Sequence, residues 1–205
     1  MNTDDVKAFR RSISDGGVVL FPTDTVYGLA TDPHSSEGVD RLFALKGRPQ
    51  ERPSAVMFFD LELALAALPE LGERTRLALG RLLPGAVTVV LPNRARRFPL
   101  ACGPEPERLG LRVPALEGAL EPLREARGPV LQSSANPSGG PDAGSVAAVD
   151  GRIRAGVDLV LDAGELPGTS STVLSLVQYE DSADFEVLRE GALGSDRIAT
   201  LLRDL

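Results

Sequence analysis

Gly17-Val18-Val19-Leu20-Phe21-Pro22 followed by Thr23-Asp24-Thr25-Val26-Tyr27-Gly28 is the stretch that decides the fold. The first half is an apolar run too short for a helix and stopped by proline, which reads as a buried strand. The second half is a polar loop at that strand's C-terminal end, where open α/β sheets collect their ligands. Upstream, Thr3 is placed to cap a short helix to about Arg11, ended by Gly16-Gly17. Downstream, Ser35 or Ser36 caps a helix whose apolar face is Val39, Leu42, Phe43 and Leu45.

The same alternation continues. Strands are expected at Ser54–Phe59, Ala86–Leu91, Leu109–Val113, Pro129–Ser133, Val157–Leu161, Thr172–Val177 and Phe185–Leu188. Helices are expected at Leu61–Leu68, Glu70–Leu83, Pro114–Arg127, Ser145–Arg154 and from Ser195 to about Leu202. Several strands follow one another directly, so the pattern predicts an α/β fold with a mixed sheet rather than a strictly doubly wound one. Pro92–Glu107, rich in proline and arginine, reads as a loop and as the candidate mobile element.

Composition narrows the class. At 205 residues, with 42% apolar and 25% charged side chains, the chain suits one globular domain spanning 1–205. No apolar run reaches the roughly 20 residues needed to span a bilayer. The acidic start, Met1-Asn2-Thr3-Asp4-Asp5, lacks the features of a secretion signal. The single cysteine, Cys102, excludes a disulfide framework within one chain and makes a reducing cytoplasm the expected compartment. A net charge of −7 and 4% aromatic residues argue against a nucleic-acid-binding module, which needs a basic surface and stacking platforms. One histidine, His34, and one cysteine argue against a zinc site.

Two polar cassettes stand out. Lys46-Gly47-Arg48-Pro49 closes the second helix, and Lys46 is one of only two lysines, with Lys7, in a chain of 22 cations. The plain reading of these cations is a solvated helix terminus, favoured by the helix dipole; the functional reading is a phosphate clamp. Ser133-Ser134-Ala135-Asn136-Pro137-Ser138-Gly139 follows a buried strand and offers hydroxyls, an amide and bare backbone donors. Brought together, the two cassettes would hold a polyanion such as a nucleoside triphosphate. Neither a P-loop nor a dinucleotide-binding fingerprint is present, and no nucleophile elbow exists.

These motifs, in this order, resemble the YrdC-like family of threonylcarbamoyl-AMP synthases. The resemblance runs from Gly16–Leu29 through Leu45–Pro49, Leu83–Thr88, Leu111–Pro114, Ser133–Gly139 and Ser171–Val173 to Val187–Gly191, and so covers nearly the whole chain. It is to the short members, without an extra C-terminal domain. It implies a twisted mixed sheet flanked by helices around a deep, positively charged cavity. It also implies an enzyme, a nucleotidyltransferase, that joins L-threonine, bicarbonate or CO₂ and ATP, with Mg²⁺, to give threonylcarbamoyl-AMP and pyrophosphate. A downstream threonylcarbamoyl transferase would then modify an adenosine of tRNA.

Carried over position by position, the resemblance implies that Lys46 and Arg48 are catalytic and meet the ATP phosphates with Arg52. Ser134 and Asn136 would bind ATP beside them, and Arg108, Asp142 and Arg189 would stand at further ATP positions. Arg112 would pair with the threonine carboxylate through both arms of its fork. Thr25 and Ser171 would contact the threonine amine or hydroxyl, and Gln132 would line that pocket. Mg²⁺ would bridge phosphates; its protein ligands are unknown. Met57 stands where many members carry a histidine near threonine, which raises the alternative of a paralogue that hydrolyses threonylcarbamoyl-AMP or acts on another acyl-adenylate. Weak binding of tRNA or another RNA is a further alternative. No membrane partner is expected.

Overall fold

The computed structural model describes residues 1–47 and 52–203. Among them, nine strands form one sheet: β1 (Val19–Pro22), β2 (Tyr27–Thr31), β3 (Ala55–Met57), β4 (Val87–Pro92), β5 (Arg108–Arg112), β6 (Val130–Ser134), β7 (Leu159–Val160), β8 (Thr172–Ser175) and β9 (Glu186–Arg189). Their order is β7-β1-β2-β6-β3-β5-β4-β8-β9. Three pairings are parallel, β1 with β7, β3 with β5 and β4 with β8; the others are antiparallel. The sheet is therefore mixed, as the strand spacing predicts.

The helices are α1 (Thr3–Ser14), α2 (Ser36–Lys46), α3 (Leu61–Ala67), α4 (Glu73–Leu82), α5 (Pro99–Cys102), α6 (Gly151–Gly156), α7 (Tyr179–Ser182) and α8 (Ser195–Leu202). Asn2, not Thr3, caps α1, in a capping box with Asp5. Ser35 caps α2, and Gly47 ends it in the left-handed conformation that glycine adopts without steric cost. Gly72 gives α4 no side-chain cap. Glu180 from α7 supplies it instead, accepting from the Thr75 N–H at 2.9 Å and the Thr75 hydroxyl at 2.8 Å.

Strand alternation divides the side chains between two layers. Leu20, Leu29, Val56, Val89, Leu111, Leu131 and Leu174 point to one face and pack with apolar residues of α2, α4 and α8. On the other face, Val19, Phe21, Ala30, Met57 and Val130 lie under α1 and a 3-10 helix at Gly118–Ala126. Phe9 of α1 meets Phe21 and Phe59 at ring-centroid distances of 5.5 and 5.7 Å. Each fully buried phenylalanine contributes about 2–3 kcal/mol of apolar burial. Those two helices roof only half of this face. Ala55, Thr88, Val90, Gly110, Arg112, Gln132 and Val173, on the unroofed half, line a cavity.

Four expectations change. Tyr27 and Gly28 belong to β2, which forms a hairpin with β1, rather than to the preceding loop. All five β2 residues are buried, so the strand shows none of the polar alternation that marks a half-exposed one. The expected helix at Pro114–Arg127 is a 3-10 helix, interrupted by Pro122, which lacks the N–H an α-helix needs. The expected helix at Ser145–Arg154 is a 3-10 turn at Val146–Ala148 followed by α6, which Asp150 caps. Pro92–Glu107 is tied down rather than loose: Asn93, 1% exposed, donates through its amide to Arg97 O and Pro106 O, both at 2.9 Å.

Candidate functional site

The cavity, about 340 Å³, is floored by β3, β5, β4 and β8 and walled by the loop after β1, the end of β6 and the segment before β8. On the floor, Ala55 faces Gly110 across β3 and β5, and Val90 faces Gly110 across β5 and β4. One step along the strands, Met57, Arg112, Thr88 and Val173 form the next row across the sheet.

Arg112 dominates that row. It is 2% exposed. Its Nη2 donates to Asp24 Oδ1 and, at 2.9 Å, to Thr25 Oγ1. Asp24 Oδ2 accepts the Ala115 N–H at 2.9 Å. Nη1 is buried and has no acceptor in the protein. Burial pulls the guanidinium's pKa down, Asp24 opposes that, and Arg189 adds a like-charge push in the same direction as burial. The group starts so high that it stays charged. Arg112 thus lines the cavity as a buried cation with one unpartnered nitrogen, which suits it to pair with an anionic oxygen. In this ligand-free arrangement Asp24 and Thr25 take both hydrogens of Nη2.

Around this point Thr88 and Ser171 share a hydrogen bond of 2.8 Å between their hydroxyls. Arg189 donates to Ser171 O at 2.8 Å. Gly191 is required beside this contact: a Cβ there would stand 2.6 Å from Ser171 C and Thr172 N. The irregular segment after β7, which runs on toward Ser171, is held at residues 162–164 by Tyr27. Its hydroxyl donates to Asp162 Oδ1 at 2.8 Å or Gly164 O at 2.9 Å, and accepts the Ala163 N–H at 2.9 Å. Burial, with Asp162 beside it, pushes the Tyr27 pKa up to about 12.

At the other end, Lys46 is 4% exposed, which overturns the reading of a solvated helix terminus. Its Nζ donates to Ser134 O, to Asn136 O at 2.8 Å and to Asn136 Oδ1 at 3.2 Å. In return, Lys46 O accepts the Ser138 N–H at 2.8 Å. The Asn136 amide donates to Gly140 O at 2.6 Å. The two cassettes are thus one structure, with a buried ammonium behind the turn that follows β6.

Of the residues expected at the site, Thr25, Arg108, Arg112, Gln132, Ser134, Ser171 and Arg189 line the cavity. Lys46 and Asn136 stand behind its wall. Arg52 is exposed and precedes Pro53 and Ser54, which do line it. Arg48 lies outside the described residues. Asp142 is half-buried and does not reach the cavity. Met57 does not line it either. Its side chain is fully buried in the apolar layer with Phe21 and Val130, where a thioether is at home and a polar group would need a partner. Sequence reasoning gave no role to Asp24, Thr88 or Ser54. Ser54 is 8% exposed, and its hydroxyl is buried with no partner. Asp24 and Thr88 both sit inside motifs already singled out, but what they touch depends on chain segments far away.

Among the described residues, Arg108, Arg112 and Arg189 line the cavity against one carboxylate, Glu105. Glu105 is paired with Arg108 at 3.2 Å. Among the described residues, no cluster of three or more potential metal ligands exists. No described helix is long and apolar enough to cross a membrane.

The described fold is a mixed α/β sheet whose half-roofed face carries a cavity lined by the buried Arg112. A family model described as telomere recombination matches residues 11–191, and the chain belongs to that Sua5/YciO/YrdC family. It is 30% identical over 194 residues to the threonylcarbamoyl-AMP synthase of Pyrococcus abyssi, aligning 94% of this chain and 56% of that protein. It is 29% identical over 178 residues to the Hahella chejuensis threonylcarbamoyl-AMP synthase, covering 87% of this chain and 94% of the relative. The fold superposes on a crystal structure of P. abyssi Sua5 complexed with L-threonine with a TM-score of 0.83 at 29% identity, over 100% of this chain and 59% of that one. The chain thus spans a little over half the length of the Pyrococcus relative.

Proposed function

We propose that this chain is an L-threonylcarbamoyladenylate synthase, a nucleotidyltransferase that uses L-threonine, bicarbonate or CO₂ and ATP. The observation that carries the reading is buried Arg112, with its Nη1 unpartnered, lining the same cavity as Ser134 on the wall braced by Lys46 and Asn136. The names of the relatives, and the threonine in the Sua5 complex, support the choice of substrates.

The chemistry follows from that arrangement. The threonine carboxylate takes Arg112 Nη1, with the Thr88–Ser171 hydroxyl pair beside it. The amine, freed of its proton, adds to CO₂ to form a carbamate, which is unstable in bulk water and is protected by a partly enclosed site. A carbamate oxygen then attacks the α-phosphorus of ATP, the bond from that phosphorus to the α,β-bridging oxygen breaks, and pyrophosphate leaves with that oxygen. Such transfers rest on positioning and on neutralising charge, not on a strong protein base. Arg108 and Arg189 are the described cavity cations for the phosphates, with Ser134 and the turn held by Lys46 at the wall. Arg48, Arg52 and Asp142 remain proposed contacts by family position alone. Mg²⁺ enters with ATP as part of the substrate, since the cavity offers it one carboxylate already paired with arginine.

The product is a reactive mixed anhydride. A threonylcarbamoyl transferase acting on tRNA in the cytoplasm is its proposed consumer. Purified protein is expected to release pyrophosphate only when threonine, bicarbonate, ATP and Mg²⁺ are all present. Release that is indifferent to threonine would overturn the proposal.

A further inference from the structure

We propose that Asp24 is a positioning residue that sets how the site reads a carboxylate. It does so by locking the Nη2 edge of Arg112, so that the rest of the guanidinium keeps one orientation beside the cavity that Arg112 lines. The ligand's identity as an amino-acid carboxylate rests on the functional reading above; the locking does not.

A guanidinium carries five N–H donors in a rigid plane. Asp24 Oδ1 and Thr25 Oγ1 together accept both hydrogens of Nη2. Asp24 is itself fixed, because its second oxygen accepts the Ala115 N–H at 2.9 Å. The carboxylate and guanidinium side chains are 10% and 3% exposed, so water does not compete for this edge. Rotation of the guanidinium would trade a charge-assisted bond for an orphaned buried carboxylate. Nη1, buried and unpartnered, is therefore held in one direction. Asp24 does not line the cavity, so it acts through Arg112 rather than on the ligand.

A consequence for specificity follows. With both hydrogens of Nη2 engaged, a ligand carboxylate is left with Nη1 or Nε, whose N–H bonds diverge, rather than a two-pronged pair that includes Nη2, and must find further donors elsewhere on the wall. The Thr88–Ser171 pair is placed for that: Thr88 is the direct cross-strand neighbour of Arg112. The site thus selects an acid that carries further hydrogen-bonding groups near its carboxylate over a simple one.

The test reads the guanidinium directly. Nitrogen-15 NMR of the free protein, assigned with Arg112→Lys, should show the Arg112 Nη1 and Nη2 signals separate, because rotation is blocked. Asp24→Asn, nearly the same shape without the charge, should merge them. Asp24→Glu should keep them separate, and it stands in if the asparagine variant does not fold. By calorimetry, Asp24→Asn should weaken L-threonine binding about tenfold, the value of one charged hydrogen bond, and leave ATP affinity within about twofold. In an Arg112→Lys background the asparagine substitution should have no further effect on threonine. Unchanged NMR signals, or an undiminished effect in that background, would overturn the proposal. Failure of the wild type to bind L-threonine would count against the functional reading instead, and the NMR signals would still decide the role of Asp24.

Discussion

Replacing Lys46 with methionine tests whether the two polar cassettes are one structure. The substitution keeps the length and most of the apolar stem and removes the ammonium. Among the described residues, Lys46 Nζ donates to Ser134 O, Asn136 O and Asn136 Oδ1. Asn136 Oδ1 keeps the Ser134 hydroxyl as a donor. The two main-chain carbonyls do not gain a new donor from methionine, and a buried orphan costs about 1–3 kcal/mol. Against that, the variant no longer buries a charge, which returns part of the loss. A net destabilisation of about 3 kcal/mol is expected. For a chain of this size that corresponds to a fall in Tm of about 6–12 °C. Urea and thermal unfolding followed by circular dichroism measure it, with an unchanged m-value showing that the same surface is exposed. A fall of less than about 2 °C would refute the argument that this ammonium braces the turn.

Other outcomes follow from the same contacts. Glu180 caps α4, and its hydrogen bonds to Thr75 hold its pKa below the ordinary 4.5. The stability it adds is therefore complete above pH 4.5 and is lost as pH falls through its lower folded value. The Tm gap between wild type and Glu180→Ala, about 1 kcal/mol at neutral pH, should narrow below that point, and a gap constant down to the acid transition would contradict it. Tyr27→Phe should cost about 1–3 kcal/mol by releasing Asp162 and the Ala163 N–H. It should also raise the KM for threonine more than it lowers kcat, since the freed segment carries Ser171; steady-state kinetics separate the two effects. Cys102 is 1% exposed and burial raises its thiol pKa. Its reaction with a disulfide reagent at pH 8 should be slow and should accelerate at the denaturant midpoint; prompt reaction in the native protein would contradict that burial.

Local chemistry made part of this molecule legible. Ser35, the apolar spacing of Val39, Leu42 and Phe43, and Gly47 mark α2 at both ends. Pro22 and Pro84-Gly85 punctuate strands whose registers the fold then sets. The hairpin strand β2 was hidden because Tyr27–Thr31 is buried on both faces and opens directly from a threonine-rich loop. The 3-10 character of Gly118–Ala126 depends on Pro122, whose effect on a run with helical spacing is a matter of backbone geometry. The cassettes were visible as chemistry, but not their relation. Lys46 and Asn136 are joined across 90 residues, and Asp24 and Arg112 across 88. Such pairs are products of sheet order, which places β6 between β2 and β3. Met57 shows the converse: a position suggestive by resemblance falls, by its place in the apolar layer, away from the cavity.

The central claim is that this cavity joins threonine, a one-carbon acid and ATP. Its most direct test is mass spectrometry of the products formed by purified protein with L-threonine, bicarbonate, ATP and Mg²⁺, beside Arg112→Ala. The account predicts threonylcarbamoyl-AMP from the wild type, carrying ¹³C when the bicarbonate does, and none from the variant. A folded, ATP-binding wild type that forms no such adduct, or an Arg112→Ala protein that forms it undiminished, would contradict it.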